Sequence, residues 1–504
     1  MDAGSVGKRN NSRKAVLFLP PYAGPLIGPP LSLLSLASSL REGGFEPVVI
    51  DGALQPNYPK LIQENIQDTL CFGLSLLTGP MIGPAIAAAR EVKRLCPDLP
   101  VIFGGWHPSL LPAQTLMEDY VDAVVLHQGE LTVLEVVRRL ATGSGLDLLP
   151  GCWFKRNGRI QQNSDRPVSP LSKLPTPAYD LVDFDAYEAN SGERTLPYAT
   201  SVGCPYACNY CTDTVYYNRR FNAYAARRVA DEMTDLAQRY RLRKIALVDS
   251  NFLVNTGRAV EIARGLISGG ARVQWTFQAS TDLICRMQDA DVEALAESGV
   301  THIGFGTESA SASMLEKMNK PHQKIGDMYE AARKCKAAEI RVTYNLIFGF
   351  PGETEADRRE TLRVMGEIGD RFENVSFSPN MFTPYPGIPI WPELRKLGMR
   401  EPQSLAEWST VGLGSTPLPW LHEEPYLKIR RGIAYFQLTN ATRKARRKFR
   451  SPTVRLLLDW VRKPLAWRIR NYDFRWPVEL SLAGARKWLV MRRSLLTGKA
   501  LKAC

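Results

Sequence analysis

Short runs that are apolar throughout alternate with amphipathic stretches twice along this chain. The first alternation fills residues 14 to about 145. Its candidate strands are Ala15–Leu19, Pro47–Asp51, Leu70–Leu76, Val101–Gly104 and Ala123–Leu126. Candidate helices are Leu31–Arg41, Tyr58–Ile66, Ile82–Leu95 and Leu131–Ala141. Strands apolar on both faces and separated by helices belong in a parallel sheet covered on both sides. The pattern predicts an α/β, doubly wound, Rossmann-like domain over 14–148, with ligands at the strand carboxyl ends.

Trp153–Arg156 and Arg159–Gln162 flank Asn157-Gly158, a hairpin signal. With the proline-bearing stretch Pro167–Pro177 they read as a hairpin and linker over 149–195. A second alternation begins near Leu196. Its strands are expected at Tyr198–Val202, Lys244–Asp249, Val273–Gln278, His302–Gly306, Arg341–Phe348 and Asn374–Ser378. Helices are expected at Val229–Tyr240, Ala259–Ile267, Val292–Glu297, Gly326–Ala338 and Ala356–Ile368. Six βα repeats predict a parallel barrel, complete or partial, over 196–392, again with its site at the strand carboxyl ends. Beyond Pro392 the pattern loosens into a basic, aromatic-rich helical region, 393–504.

The 504 residues suffice for two or three domains with cores of their own. No run of about 18 apolar residues occurs, so no membrane-spanning helix is expected. Met1–Lys14 is polar and basic and reads as a short disordered leader, not a secretory signal. The net charge of +13 is unevenly placed. From Leu421 to Cys504 there are 21 Lys and Arg against 5 Asp and Glu, whereas the rest of the chain carries 43 against 46. The basic excess therefore lies in the tail and points to an acidic surface partner there.

Of nine cysteines, Cys71, Cys96, Cys152, Cys285, Cys335 and Cys504 are scattered, and three fall within eight residues. Without an export signal the expected compartment is the reducing cytoplasm, where clustered thiols favour metal or redox chemistry over bridges. The cluster reads Gly203-Cys204-Pro205-Tyr206-Ala207-Cys208-Asn209-Tyr210-Cys211, a C-x3-C-x2-C pattern on the loop after the first barrel strand. Three thiolates on one loop can hold three irons of a 4Fe–4S cubane and leave the fourth open. A zinc site is the competing reading, but it wants a fourth ligand at matching spacing, and no further Cys-x2-Cys or His pair lies nearby.

With an aromatic residue before its third cysteine, the motif resembles that of the radical S-adenosylmethionine (SAM) superfamily. The resemblance spans about Leu196 to Pro392. It implies that Cys204, Cys208 and Cys211 ligate the cluster and that the open iron binds SAM. One electron then releases methionine and a 5′-deoxyadenosyl radical. Other segments fit. Val248-Asp249-Ser250-Asn251-Phe252 resembles the acidic strand end facing SAM, and Gly304–Ser309 resembles a segment whose Glu, here Glu308, lies near SAM. Ile347–Thr354 resembles a G-x-P-G-E-T turn, which adds Gly349, Pro351 and Gly352 to the SAM contacts. The structural alternative is that these glycines only make a tight turn and that Asp249 caps a helix. Pro384-Tyr385-Pro386-Gly387 resembles a later loop of the family, but Ile388 stands where Thr is usual, so no polar contact is expected there.

The N-terminal domain resembles the cobalamin-binding domain of cobalamin-dependent radical SAM enzymes. The matching pieces are Gly28–Leu34, Phe72–Thr78, Gly104-Gly105-Trp106-His107-Pro108 and Gln128-Gly129-Glu130. They imply cobalamin contacts from Ser75, Thr78, Gly104, Gly105 and His107. The first loop, Pro20–Gly24, has no Asp-x-His-x-x-Gly, so axial ligation by histidine from that loop is not expected. His107 is read as a neighbour of the nucleotide tail and not as a cobalt ligand. The bland alternative is a Rossmann-like domain kept for substrate or subunit contacts.

The resemblance implies a radical SAM methyltransferase: cobalamin-dependent C-methylation of a small or lipophilic substrate, with electrons from a donor such as flavodoxin or ferredoxin. The alternative is oxidative cyclisation or rearrangement without methyl transfer, as in anaerobic porphyrin cyclases. RNA modification is disfavoured, because no RNA-binding module is recognisable. No general base is assigned, and Cys285 and Cys335 read as buried apolar cysteines. In the tail, Trp460, Trp467, Tyr472, Phe474, Trp476 and Trp488 are interleaved with Arg and Lys. Three readings stand: a cap on the barrel, an anionic membrane surface on the inner face, and, least favoured, nucleic acid.

Overall fold

The computed structural model describes residues 12–22, 24, 28–412, 416–449 and 451–481. Trp488 and Cys504 lie outside the described residues. The first sheet contains β1 (Lys14–Leu19), β2 (Glu46–Asp51), β3 (Thr69–Ser75), β4 (Val101–Gly104), β5 (Ala123–Val125), β6 (Cys152–Arg156) and β7 (Arg159–Gln162). The order is β2-β1-β3-β4-β5-β6-β7. The first five strands are parallel and the hairpin β6–β7 adds antiparallel to β5. The hairpin thus forms where its Asn-Gly turn requires, but it extends the sheet by occupying the edge of β5. The strand order reverses between β1 and β3, the place where doubly wound sheets open a ligand crevice.

Two further strands, β9 (Ser201–Val202) and β10 (Asn222–Ala223), form a separate antiparallel pair. The second large sheet comprises β8 (Thr195–Tyr198), β11 (Lys244–Leu247), β12 (Gln274–Ala279), β13 (Val300–Glu308), β14 (Arg341–Phe348) and β15 (Val375–Met381). It is parallel throughout, in the order β15-β14-β13-β12-β11-β8. Its end strands do not pair with each other, so the barrel is partial.

The expected first barrel strand, Tyr198–Val202, is broken in two. Asp249 accepts hydrogen bonds from Thr200 N at 2.8 Å, from Thr200 Oγ1 at 2.6 Å and from Ser201 Oγ. These bonds draw the chain out of the sheet immediately before the cysteine loop. Both open edges are covered. Tyr179 Oη donates to Pro197 O at 2.5 Å on β8. At β15, Arg443 donates to Val375 O at 2.9 Å, and Asn440 bonds the backbone of Phe377. Such cover blunts an edge that would otherwise pair with other chains.

Asn440 and Arg443 belong to the helix Glu423–Lys448, which packs on β15, and the helix Pro452–Asn471 packs on it in turn. The cap reading of the tail is therefore what this part of the chain does. Between the barrel and these helices the chain returns to the N-terminal sheet. Trp408 Nε1 donates to Gln114 Oε1 at 2.9 Å, and Gln114 Nε2 donates to Pro402 O at 3.0 Å. One continuous apolar core runs through both sheets. Among the described residues no helix is long and apolar enough to cross a membrane.

Candidate active site

The cysteine loop follows β9 and owes its path to Gly203. This residue has φ +77°, and a Cβ there would lie 1.9 Å from Arg220 O. The loop is strapped from outside by the turn after the helix Ala312–Lys317. Asn209 Nδ2 donates to Lys317 O at 2.7 Å, and Asn319 Nδ2 donates to Ala207 O at 2.6 Å. Cys204, Cys208 and Cys211 line one cavity of about 270 Å³ with Tyr210, Asp213, Ser250, Asn251, Gln278, Ser280, Gly306, Glu308, Lys320 and Asn345. It sits at the carboxyl ends of the barrel strands, as the βα pattern predicts.

The turn that straps the loop also delivers Lys320 into the cavity. Its side chain is 7% exposed and pairs with Glu308 at 3.2 Å. Lys320 Nζ also donates to Gly306 O at 2.7 Å. Burial opposes the ammonium charge, but Glu308 and Cys208 outweigh it and hold the Lys320 pKa above its ordinary value. Glu308 sits in the left-handed region at φ +58°. A Cβ at Gly306 would meet Glu308 Oε1 at 2.7 Å, so a larger residue there would push the carboxylate aside.

Burial raises the pKa of all three loop thiols, that of Cys211 to about 12. Metal loading would therefore release protons. Among the described residues no three His, Cys, Asp or Glu side chains gather closely enough to hold a single ion. Thiolates that each take a different iron of a cubane need no such convergence. Asn251 Oδ1 is buried without a partner beside Cys204, as a polar ligand in the cavity would require. These donors and this polar lining fit a cluster carrying a small zwitterionic ligand.

The other residues expected at SAM do not line this cavity. Asp249 spends its carboxylate on Thr200 and Ser201, and the cavity wall at this strand end is Ser250 and Asn251. Burial raises the Asp249 pKa, and those hydrogen bonds oppose the rise. Gly349 and Gly352 have φ +77° and +73° and form the tight turn with Pro351, but none of the three lines the cavity. Trp420 Nε1 donates to Gly349 O at 2.9 Å, which seals this turn beneath the C-terminal region. Cys285 and Cys335 are pushed up to about 12 by burial and stay outside the site. Ile388 is buried in the core. Sequence reasoning missed Lys320, Gln278 and Asn345, and in the segment Val248–Phe252 it singled out Asp249 where Asn251 lines the cavity. Polar residues at barrel-strand ends were the available signal for Gln278 and Asn345; Lys320 left none.

At the carboxyl end of the N-terminal sheet, Gly105 has φ +90°, and a Cβ there would meet Leu76 N at 2.8 Å and O at 2.9 Å. Ser75 and Gly104 flank it, half-buried. Thr78 Oγ1 hydrogen-bonds His107 Nδ1 at 2.9 Å, and the imidazole lies edge-on to Trp408 with ring centroids 5.7 Å apart. His107 is fully buried, which pushes its pKa down to about 4. Its Nε2 has no partner, and neither do the nearby His127 Nδ1 and Gln128 Nε2. Three unpaired buried polar atoms beside glycines fit an amide-rich ligand such as cobalamin. The burial of His107 beneath Trp408 argues against cobalt ligation by it.

An aromatic layer joins this end to the cysteine loop. Trp106, next to Gly105, stacks on Tyr216 with centroids 4.2 Å apart, and Tyr216 Oη donates to His127 O at 2.7 Å. Tyr216 ends the short helix Asp213–Tyr216, which begins two residues after Cys211. The functional ends of the two sheets therefore face each other.

Comparison with known proteins agrees with this arrangement. Residues 198–365 match the radical SAM superfamily, and residues 24–137 match the B12-binding domain. The chain therefore carries a radical SAM domain and is a radical SAM enzyme. More particularly, it is of the kind that carries a B12-binding domain ahead of the radical SAM domain, and the cofactors of this pairing are a 4Fe–4S cluster, SAM and cobalamin. An uncharacterized methyltransferase of Pyrococcus horikoshii is 29% identical over 75% of this chain and 82% of its own length. The anaerobic magnesium-protoporphyrin IX monomethyl ester cyclase of Rubrivivax gelatinosus is 22% identical over 73% of this chain and 66% of its own length. The cobalamin-dependent SAM radical enzyme OxsB, solved with aqua-cobalamin and SAM bound, superposes with a TM-score of 0.74 at 16% identity. That superposition covers 92% of this chain and 72% of OxsB.

Proposed function

We propose that this enzyme methylates an unactivated carbon of a small or lipophilic substrate. It would act in the cytoplasm or at the inner face of the membrane, with one electron at a time from a flavodoxin- or ferredoxin-like donor. The observation that carries the reading is the facing of the two sheet ends across Trp106 and Tyr216. A methyl donor on one side and a radical source on the other need such a shared space. When bound, the cluster, SAM and cobalamin supply reductive SAM cleavage, hydrogen abstraction and a methyl group.

The chain's residues hold and orient. Cys204, Cys208 and Cys211 ligate three irons. Glu308 and Lys320, which pair with each other across the cavity, would hold the ammonium and carboxylate of SAM. Asp249 positions the cysteine loop through Thr200 and Ser201. The turn at Gly349, Pro351 and Gly352 supports the wall from behind. Ser75, Thr78, Gly104, Gly105 and His107 would meet the nucleotide tail of cobalamin. Trp106, Tyr216 and Tyr217 exclude water between the two ends.

Similarity to the methyltransferase of Pyrococcus horikoshii, at higher identity and coverage than the cyclase, also favours methylation. The test is anaerobic reconstitution with cobalamin, followed by metal analysis and product assay. Iron, cobalt, S-adenosylhomocysteine and 5′-deoxyadenosine together support methylation. Iron and 5′-deoxyadenosine without S-adenosylhomocysteine would overturn it in favour of radical cyclisation or rearrangement.

A further inference from the structure

The two C-terminal helices use their faces differently. Leu465 and Ile469 point inward and are buried, and Arg470 pairs with Asp370. Outward, Leu456, Leu457, Trp460 and Trp467 are 71%, 61%, 72% and 53% exposed. At 3.6 residues per turn, Leu456, Trp460 and Trp467 fall on one line along the helix, with Leu457 and Pro464 beside it. Lys463 flanks that line, whereas Arg470 is held inward by Asp370. Trp476, 78% exposed, lies just beyond the helix. Soluble proteins seldom leave a continuous stripe of tryptophan and leucine in water without a use for it.

Charge selects the partner. Of the five Lys and Arg in Pro452–Asn471, Arg462, Arg468 and Arg470 pair with Asp459, Glu479 and Asp370, which leaves Arg455 and Lys463 without an acidic partner among the described residues. Asp459 is spent inward on Arg446 at 2.7 Å and on Arg462 at 3.4 Å. Residues 482–504 add six Lys and Arg and no Asp or Glu. A second copy of this face would bring like charges together, whereas an anionic bilayer offers phosphates to the cations and a headgroup layer to the indoles.

We propose that the outer face of the helix Pro452–Asn471 docks on an anionic lipid bilayer. The helix lies in the plane of the interface, with Leu456, Trp460 and Trp467 seated among the headgroups. The inner face packs on the helices Glu355–Arg371 and Glu423–Lys448, so docking needs no unfolding of the cap. This names a surface for the membrane placement in the proposed function. Docking is read by lipid binding and not by turnover, so it and the methylation reading can fail separately.

Full-length protein would be floated with vesicles of phosphatidylcholine alone and of phosphatidylcholine with phosphatidylglycerol. The expected result is flotation with the anionic vesicles, weakened by salt. Joint substitution Leu456→Gln and Trp460→Gln should lower the bound fraction by about tenfold or more. Because both side chains are exposed, elution volume and circular dichroism should not change. A second variant, Trp460→Phe with Trp467→Phe, should keep binding but lose part of the quenching of tryptophan emission by brominated lipid. Equal flotation of wild type and the Gln variant, or unaltered quenching in the Phe variant, would overturn the proposal. So would a concentration-dependent dimer that the Gln variant dissolves, in the absence of lipid binding; that result would assign the face to a second copy.

Discussion

The carboxyl ends of the two parallel sheets are finished in opposite ways. At the barrel end, charged and polar groups line an open cavity, and the buried cation Lys320 faces the carboxylate of Glu308. At the N-terminal end the chain is glycine and aromatic, His107 is shut beneath Trp408, and its Nε2 is left unpaired. A small zwitterion such as SAM calls for counter-charges already in place, because an unpaired buried charge is costly. A bulky, amide-rich ligand calls for room and small residues, which glycine provides and tryptophan covers.

The sharpest break of this comparison is at the cysteines. Replacing Cys204, Cys208 and Cys211 by Ala should remove all cluster iron and all SAM cleavage. Iron analysis and assay of 5′-deoxyadenosine check this, and persistent 5′-deoxyadenosine would refute the ligand assignment. Next is Lys320→Met. It leaves the Glu308 carboxylate buried alone, which should cost about 3–5 kcal/mol in denaturant unfolding. SAM affinity of the cluster-loaded protein should drop by about tenfold or more, a loss of at least about 1.4 kcal/mol of binding free energy. Adding Glu308→Gln should recover stability without recovering SAM binding. If SAM binding returned as well, the pair would be structural only.

At the other end, Trp408→Ala should destabilise the fold by about 3 kcal/mol and leave SAM cleavage unchanged. Parallel loss of cleavage would mean that the two ends are coupled more tightly than their contrast suggests. The smallest effect is a pH dependence. His107 titrates near the ordinary 6.5 when unfolded and near 4 when folded, so the unfolded chain binds the extra proton between those values. Stability from this group is therefore present above pH 6.5 and lost as pH falls from 6.5 toward 4. His107→Gln should flatten unfolding free energy against pH in that window. An unchanged slope would show that His107 is not held neutral by burial.

Much of this was legible without coordinates, and the reasons are local. Continuous apolar strands such as Val101–Gly104 announce a parallel sheet because both faces are covered. The Asn157-Gly158 turn announces its hairpin, and the cysteine spacing announces its loop. Sequence could not show that this hairpin closes the β5 edge, because a vacant strand edge is a property of the assembled sheet. Nor could it show that Asp249 would turn to Thr200 and Ser201, two residues some fifty positions earlier in the chain.

The sequence by itself determined the periodicities, and through them the two α/β layers, the cysteine loop and the basic tail. The tertiary structure alone decided which side chains meet: Lys320 with Glu308, Trp408 over His107, Trp106 on Tyr216, and the tail helix divided into an inner cap and an outer face. The physical reason is range. Backbone propensity and hydrophobic period act between near neighbours in the chain. Ion pairs, stacking and burial act between residues that only folding brings within a few ångströms.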